Sequence, residues 1–350
     1  MITNSLYQKD IQYISGLPLP WDKLKNKAIL ITGATGLIGT CLIDALMAKN
    51  QDGLQCKIYA LGRSEEKAKS RFCAYWDSPF FTFLSYDVRT PIAEEMVDEV
   101  HYIVHLASNT HPVQYATDPI GTITTNIIGT DNLLKFATKK KSIRCMLASS
   151  NEIYGENRGD VEFFSEDYCG YIDCNTLRAG YTESKRCSEA LCQAYIEKEK
   201  LDVVIARLTR SYGPTMQLSD TKAISQFIKK GINGEDIVLK SEGTQYFSYT
   251  YVADAVSGLL YILLNGHCGE AYNIADEKSD IRLKDLAGLI ALKAGKKVIF
   301  EIPEEAEAKG YSKATKARLS NDKIKQLGWS AKDTIESGIV KTMEILKESV

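Results

Sequence analysis

In "YTESK", Tyr181 and Lys185 stand four residues apart, so on a helix their side chains share one face. A free tyrosine, with a pKa near ~10, is a poor base at neutral pH. A lysine cation one turn away lowers the cost of the phenolate and makes Tyr181 a competent acid/base for a hydroxyl or carbonyl. Upstream, the stretch "SSNEIYG" (149–155) crowds two hydroxyls, an amide, a carboxylate and a phenol into seven residues at the end of an apolar run. That is too polar for a plain buried strand, and it marks Ser149, Ser150, Asn151 and Glu152 as candidates for a reaction centre.

A second constellation explains what such a pair would work on. "GATGLIG" places Gly33, Gly36 and Gly39 at G-x-x-G-x-x-G spacing, after an apolar strand and at the start of a helix. The glycines permit a tight turn and close backbone approach to a pyrophosphate, and the helix N-terminus faces its charge. Thr35, Leu37 and Ile38 complete the loop. A bound dinucleotide would also bring a positive nicotinamide beside Tyr181. The second strand ends "ALGRSEEK", with no acidic residue at its tip to bind ribose hydroxyls. Arg63 and Ser64 follow instead, which suits a 2′-phosphate and favours NADP over NAD. Asp87, with Val88 beside it, is placed to accept from the adenine amino group.

These groups need a scaffold, and the pattern supplies one. "AILIT" (28–32), "CKIYAL" (56–61), "YIVHLA" (102–107), "RCMLAS" (144–149) and "DVVIAR" (202–207) read as buried strands. Stretches with helical period lie between them at 37–49, 119–139 and 181–199. Apolar strands alternating with helices predict an α/β fold, a Rossmann doubly wound parallel sheet covered on both faces. After Arg207 the rhythm breaks, and a smaller C-terminal α+β substrate lobe is expected. The division expected is an irregular arm over 1–25, a dinucleotide-binding domain over 26–206 plus 246–276, and the second lobe over 207–245 plus 277–350.

Composition narrows the function. With 43 basic residues against 45 acidic ones, nothing points to nucleic acid. The nine cysteines are scattered and odd in number, and there are only 4 histidines, so neither a disulfide framework nor a metal site is expected. The N-terminus lacks the apolar core of a signal peptide, and the glycines and threonines inside "AILITGATGLIGTCLIDALMA" argue against a membrane span. The expectation is a reduced, cytoplasmic protein with no membrane partner.

From Lys27 to Ala275 the chain resembles the extended short-chain dehydrogenase/reductases of the nucleotide-sugar epimerase, dehydratase and decarboxylase branch. The motifs that carry the likeness are "GATGLIG", "HLAS", "TTNIIGT", "LASSNEIYG", "YTESK", "ARLTRSYGP" and "GTQYFSYTYVADAVSG". UDP-glucuronate decarboxylases and dTDP-glucose 4,6-dehydratases are nearest in texture. The resemblance implies NAD(P), a nucleotide-sugar substrate, and a homodimer built on a four-helix bundle from helices near 119–139 and 181–199. It implies that Ser150 hydrogen-bonds the reacting oxygen, Tyr181 exchanges its proton, Lys185 orients the cofactor ribose and Asn126 braces the site. Ala107, Ser108 and Ser149 would line the cofactor, with Asn109, Asn151 and Tyr246 toward the substrate. "PEEAEAKGYSKATKARLSNDKIKQLGW" resembles the family's closing segment, whose Leu-Gly-Trp locks the last helix on the body.

Three departures qualify the likeness. Dehydratases carry an aspartic acid where Asn151 stands, and an amide cannot give up a proton for water elimination. Phe247 occupies the position of the family's arginine, and Arg210 that of the family's asparagine before "x-Y-G-P". Arg210 therefore reads either as a relocated anion clamp or as a structural ion-pair partner. Arg178 and Lys240 are further candidates for phosphate contacts. With Glu152 as a base, epimerisation or decarboxylation is open, though the absence of the family's carboxylate-clamping arginine counts against decarboxylation. Without that base, Ser150, Tyr181 and Lys185 suffice for NADPH-dependent reduction of a nucleotide-linked keto sugar, for example to a CDP-linked alditol or deoxysugar. A non-catalytic dinucleotide sensor is the reading from another class. The products expected are surface polysaccharide or deoxysugar precursors.

Overall fold

The structure is a computed structural model, and it describes residues 3–110, 115, 117–217, 219–301 and 315–348. The chain opens with helix α1 (Ser5–Ser15), capped by the Asn4 side chain, which accepts from the Leu6 and Tyr7 amides. Then come β1 (Ala28–Thr32), α2 (Leu37–Gln51), β2 (Lys57–Gly62), α3 (Glu65–Arg71), β3 (Phe81–Ser85) and β4 (Tyr102–His105). Two long helices, α4 (Pro119–Lys140) and α5 (Ala179–Glu199), flank β5 (Arg144–Ser150) and lead to β6 (Val203–Leu208). The second part of the chain contributes β7 (Arg210–Tyr212), α6 (Ala223–Ile232), β8 (Ile237–Leu239), β9 (Tyr246–Tyr251), α7 (Val252–Asn265) and β10 (Ala271–Ile274). It ends with β11 (Asp280–Arg282), α8 (Leu283–Ala294), β12 (Val298–Phe300), β13 (Lys316–Ala317), α9 (Asp322–Lys325) and α10 (Ile335–Lys347).

Seven strands form one parallel sheet in the order β10-β6-β5-β4-β1-β2-β3, the doubly wound arrangement expected from apolar strands separated by helices. Strands β1, β4 and β5 carry almost no exposed residue, because helices cover both faces. The register places the C-terminal ends of β1, β4 and β5 side by side: Thr32 pairs with His105, and His105 with Leu147. Loops leaving that edge hold the candidate site, as the topology of such sheets requires.

A second, smaller sheet forms around β9, which pairs with β7, β11 and β13. Here the expected division needs correction. The segment 246–276 does not return as one piece: Tyr246–Tyr251 is the central strand of the second sheet, and only the later β10 joins the first. The apolar run "YTYVADAVSG" reads as continuous helix, yet its first three residues are extended and the helix starts at Val252. The two sheets are joined closely, since a single residue, Thr209, separates β6 from β7. The Thr209 hydroxyl lies 2.5 Å from that of Thr250 on β9, and Thr250 in turn donates to the Ile274 carbonyl of β10.

The N-terminal segment also differs from expectation, being helical rather than irregular. Tyr7, Ile11 and Ile14 recur on one face and are buried against α2 and α7. Two polar residues go in with them: Tyr7 donates to Asp44, and Asp10 accepts from Tyr251 and from Lys341 of α10. Among the described residues of the closing segment, Trp329 is buried and donates to Ser257, while 302–314 lie outside the described residues. No described helix is long and apolar enough to cross a membrane.

Candidate active site

The glycine loop shows why each glycine stands where it does. Gly33 has φ +67°, and a Cβ there would lie 2.9 Å from the Ala107 nitrogen. A Cβ on Gly39 would lie 2.5 Å from the Gly33 carbonyl oxygen. Gly36 is the N-cap of α2 and offers no side chain, so the first amides of that helix keep room for an anion. The loop is braced from the second part of the chain: Thr215 donates to the Leu37 carbonyl and Gln217 to the Thr35 carbonyl. Ile38 is half-buried beside them. This cradle fits a dinucleotide pyrophosphate.

Around the loop, Thr32 and His105 form a buried pair 2.8 Å apart, and the Thr32 hydroxyl accepts from the Ala107 amide. Burial, with Lys185 nearby, pushes the His105 pKa down to about 3, so the ring stays neutral; its Nε2 is buried without a partner among the described residues. Ser108 donates to Asn126 Oδ1, and Asn126 Nδ2 donates to Ser184, which donates to the Tyr181 carbonyl. This chain ties the end of β4 to α4 and α5. Val88 is buried against Gly129, and its carbonyl accepts from Asn132.

Tyr181 and Lys185 are both buried on the same face of α5, as their spacing predicts. Lys185 donates to the Ala148 carbonyl at 2.8 Å, and burial lowers its pKa to about 8. Burial raises the Tyr181 pKa to about 12; hydrogen bonding with Ser150, the Arg178 charge and Ser108 all pull it back down, while Glu152 pushes it up. The Ser150 hydroxyl also accepts from the Glu152 amide at 3.2 Å, fixing the turn after β5. Ser149 is buried at the same strand end, and its hydroxyl has no partner among the described residues. Asn151, directly after β5, and Asn109, in the segment after β4, are both buried. Tyr154 closes the strand end structurally: it donates to Asn273 and receives Arg207, itself paired with Glu189.

Glu152 is not a free carboxylate. Arg178, at the start of α5, donates to both its oxygens at 2.9 and 3.0 Å. The Arg178 guanidinium lies 5.3 Å from the ring centre of Tyr115, and Tyr115 stacks on Tyr181 at 4.8 Å. Tyr115 carries no motif, and no sequence signal singles it out. His105 sits inside the quoted "HLAS" motif, and its partner Thr32 closes the first strand; neither pairing is visible before the register is known.

Other candidates lie apart. Asp87 is held by Arg89 through its backbone amide and side chain, which occupies both carboxylate oxygens. Arg63 is exposed, close enough to Asp87 to lower its pKa after the larger effect of Arg89, and the Ser64 hydroxyl caps α3 by accepting from Lys67. Lys240 is exposed just beyond β8, and no contact among the described residues joins it to the group around Tyr181. Tyr246 lies under two guanidiniums, Arg282 and Arg318, the latter paired with Asp280. Arg210, in contrast, lies at the site, where Glu152, Arg178 and Tyr115 all act on its charge.

The glycine cradle, the buried Tyr181–Lys185 pair and the doubly wound sheet agree with one comparison. Residues 29–275, more than half the chain, match the family model described as the NAD dependent epimerase/dehydratase family. The chain belongs to that family. As an epimerase/dehydratase-family enzyme it has relatives across kingdoms. It is 32% identical over 328 residues to UDP-glucuronic acid decarboxylase 1 of Xenopus tropicalis, covering 93% of this chain and 73% of that one. It is 33% identical over 244 residues to UDP-glucuronic acid decarboxylase 6 of Arabidopsis thaliana, covering 70% and 68%. Among solved structures the fold is shared with a dTDP-glucose 4,6-dehydratase from Streptomyces venezuelae with NAD bound, at TM-score 0.79 and 23% identity, covering 91% and 97%. It is shared too with UDP-glucuronic acid 4-epimerase from Bacillus cereus, with UDP-glucuronic acid and NAD, at TM-score 0.79 and 20% identity, covering 92% and 100%.

Proposed function

We propose that this epimerase/dehydratase-family enzyme transforms a nucleotide-linked sugar by hydride exchange at a ring carbinol, with NAD as cofactor. The observation that carries the reading is the buried Tyr181–Lys185 pair facing the serine-rich end of β5 beside the glycine cradle. Gly33, Gly36 and Gly39, the α2 N-terminus and Lys185 would hold NAD, which supplies the hydride acceptor when bound. Tyr181 takes the proton of the reacting hydroxyl and returns it. Ser150 holds the reacting oxygen against Tyr181. Lys185, with a lowered pKa but still largely charged near neutrality, favours the phenolate form. NAD is preferred to NADP because the family's description names NAD.

Glu152 in this reading holds Arg178 in place and is not the obligatory base. The amide of Asn151 disfavours elimination of water, so epimerisation or decarboxylation of the oxidised sugar is the preferred outcome over dehydration. Exposed Ile120 and Ile128 on α4, and Leu177 ahead of α5, support a homodimer through these helices, and mass photometry would check it.

The deciding experiment incubates the protein with UDP-, dTDP-, CDP- and GDP-sugars, with and without NADH or NADPH. Product without net cofactor change is expected. Tyr181→Phe should lower kcat by about 10²–10⁴-fold while NAD binding, read by titration, persists. Net consumption of NADPH would replace this reading with the keto-sugar reductase, and full function in Tyr181→Phe would replace it with the dinucleotide sensor.

A further inference from the structure

Two departures from the family pattern, far apart in sequence, meet in space. Strand β7 pairs with β9 so that Arg210 lies opposite Tyr249, two residues from Phe247. The Arg210 guanidinium carbon lies 3.6 Å from the centre of the buried Phe247 ring. A planar guanidinium on an aromatic face is fixed in orientation as well as attracted. The phenylalanine that replaces the family's arginine has thus become the platform for an arginine on the neighbouring strand.

That cation is uncompensated. Among the described residues, no carboxylate forms an ion pair with Arg210, and its Nη1 is buried without a hydrogen-bond partner. A buried guanidinium nitrogen left unpaired is costly, and a partner that satisfied it would recover that cost. The neighbouring acid, Glu152, is already neutralised through both oxygens by Arg178. Tyr249, Glu152, Arg178 and Tyr115 are the groups whose charges reach Arg210, and Tyr115 stacks directly on Tyr181. Ser150 pairs with Leu208, two residues before Arg210, so the cation stands on the Ser150–Tyr181 side of the site.

We propose that Arg210, stacked on Phe247, is the specificity-determining residue that receives a carboxylate borne by the sugar ring, making the substrate a nucleotide-linked uronic acid. This rests on the nucleotide-sugar reading above. It assigns to β7 a recognition task that the family's arginine on β9 cannot perform here, because that side chain is absent. A carboxylate matches the planar donor fork in two parallel hydrogen bonds, which a neutral hydroxymethyl group cannot do.

The test measures affinity by calorimetry on the NAD-loaded protein, using matched pairs: UDP-glucuronate with UDP-glucose, UDP-galacturonate with UDP-galactose, and GDP-mannuronate with GDP-mannose. The wild type should prefer the uronate of its pair. Arg210→Gln keeps a planar group on the Phe247 face without the charge. It should weaken the uronate by about 10- to 100-fold and leave the neutral partner within about threefold. Arg210→Asn combined with Phe247→Arg, which moves the cation back to β9, should recover much of the uronate preference; it also serves if the single variant folds poorly. Equal weakening of both members would assign Arg210 to the diphosphate and overturn the proposal. Unchanged uronate binding would make it purely structural and overturn it as well. Failure of the wild type to bind any member, with NAD binding intact, would overturn the nucleotide-sugar reading itself.

Discussion

Glu152 and Arg178 should push the titration of Tyr181 in opposite directions when each is removed alone. In the native protein the two charges are clamped together by hydrogen bonds of 2.9 and 3.0 Å, so at Tyr181 they largely cancel. Arg178 lowers the Tyr181 pKa and Glu152 raises it. The contacts through Tyr115, at 5.3 and 4.8 Å, place the guanidinium no more than about 10 Å from the Tyr181 ring. A unit charge at that range, in an effective dielectric of about 20, is worth roughly 1.7 kcal/mol, or about one pH unit. Both side chains are partly exposed, and solvent screening reduces the effect to about half a unit or more. Arg178→Gln should therefore move the acid limb of kcat to higher pH, and Glu152→Gln should move it to lower pH. The assay is kcat against pH with saturating nucleotide sugar from the panel above. Shifts in the same direction would refute the cancellation. Loss of all turnover in Glu152→Gln at every pH would make Glu152 an obligatory base.

Two further outcomes follow from the scaffold. Gly33→Ala forces an L-residue to φ +67° with its Cβ 2.9 Å from backbone, so NAD affinity should fall at least about tenfold and stability by ~1–2 kcal/mol, read by titration and calorimetry. Asp44 is buried, its folded pKa raised by burial to about 7 from an ordinary 3.8, with one carboxylate oxygen unpartnered among the described residues. Its contribution is most favourable below the unfolded pKa and is lost as pH rises toward 7. Asp44→Asn, which can still accept from Tyr7, should thus gain in Tm over the wild type by several degrees more at pH 8 than at pH 4.5; an equal difference at both would refute the assignment.

The large sheet was readable because its physics is local: apolar runs such as 28–32 and 144–149 are buried on both faces, and the Tyr181–Lys185 spacing is set by a single helix. Glycine spacing likewise reports a local turn. What stayed hidden depends on pairings across the chain. Residues 249–251 look like the start of a helix until β7, β11 and β13 are seen to pair with their strand. Tyr115 reaches the site through its stack on Tyr181 and its contact with Arg178, and Asp87, plausible as a ligand by position, is occupied by an arginine two residues on. The N-terminal helix has polar residues at buried positions, Asp10 among them, which blurs its periodicity until Tyr251 and Lys341 are seen to satisfy them.

The one-residue join at Thr209 has a mechanical consequence. A hinge needs a few residues free to absorb a change in φ and ψ, and here the only linking residue is buried and tied by hydroxyl contact to Thr250, which is tied in turn to β10. The strand that carries Arg210 is a stiff extension of the strand beside the one that ends in Ser150. Closure by swinging one sheet against the other is therefore blocked at this seam. The spacing between the proposed recognition cation and the proposed proton-transfer residues is built in before any ligand arrives, a fixed ruler against which a sugar would be measured.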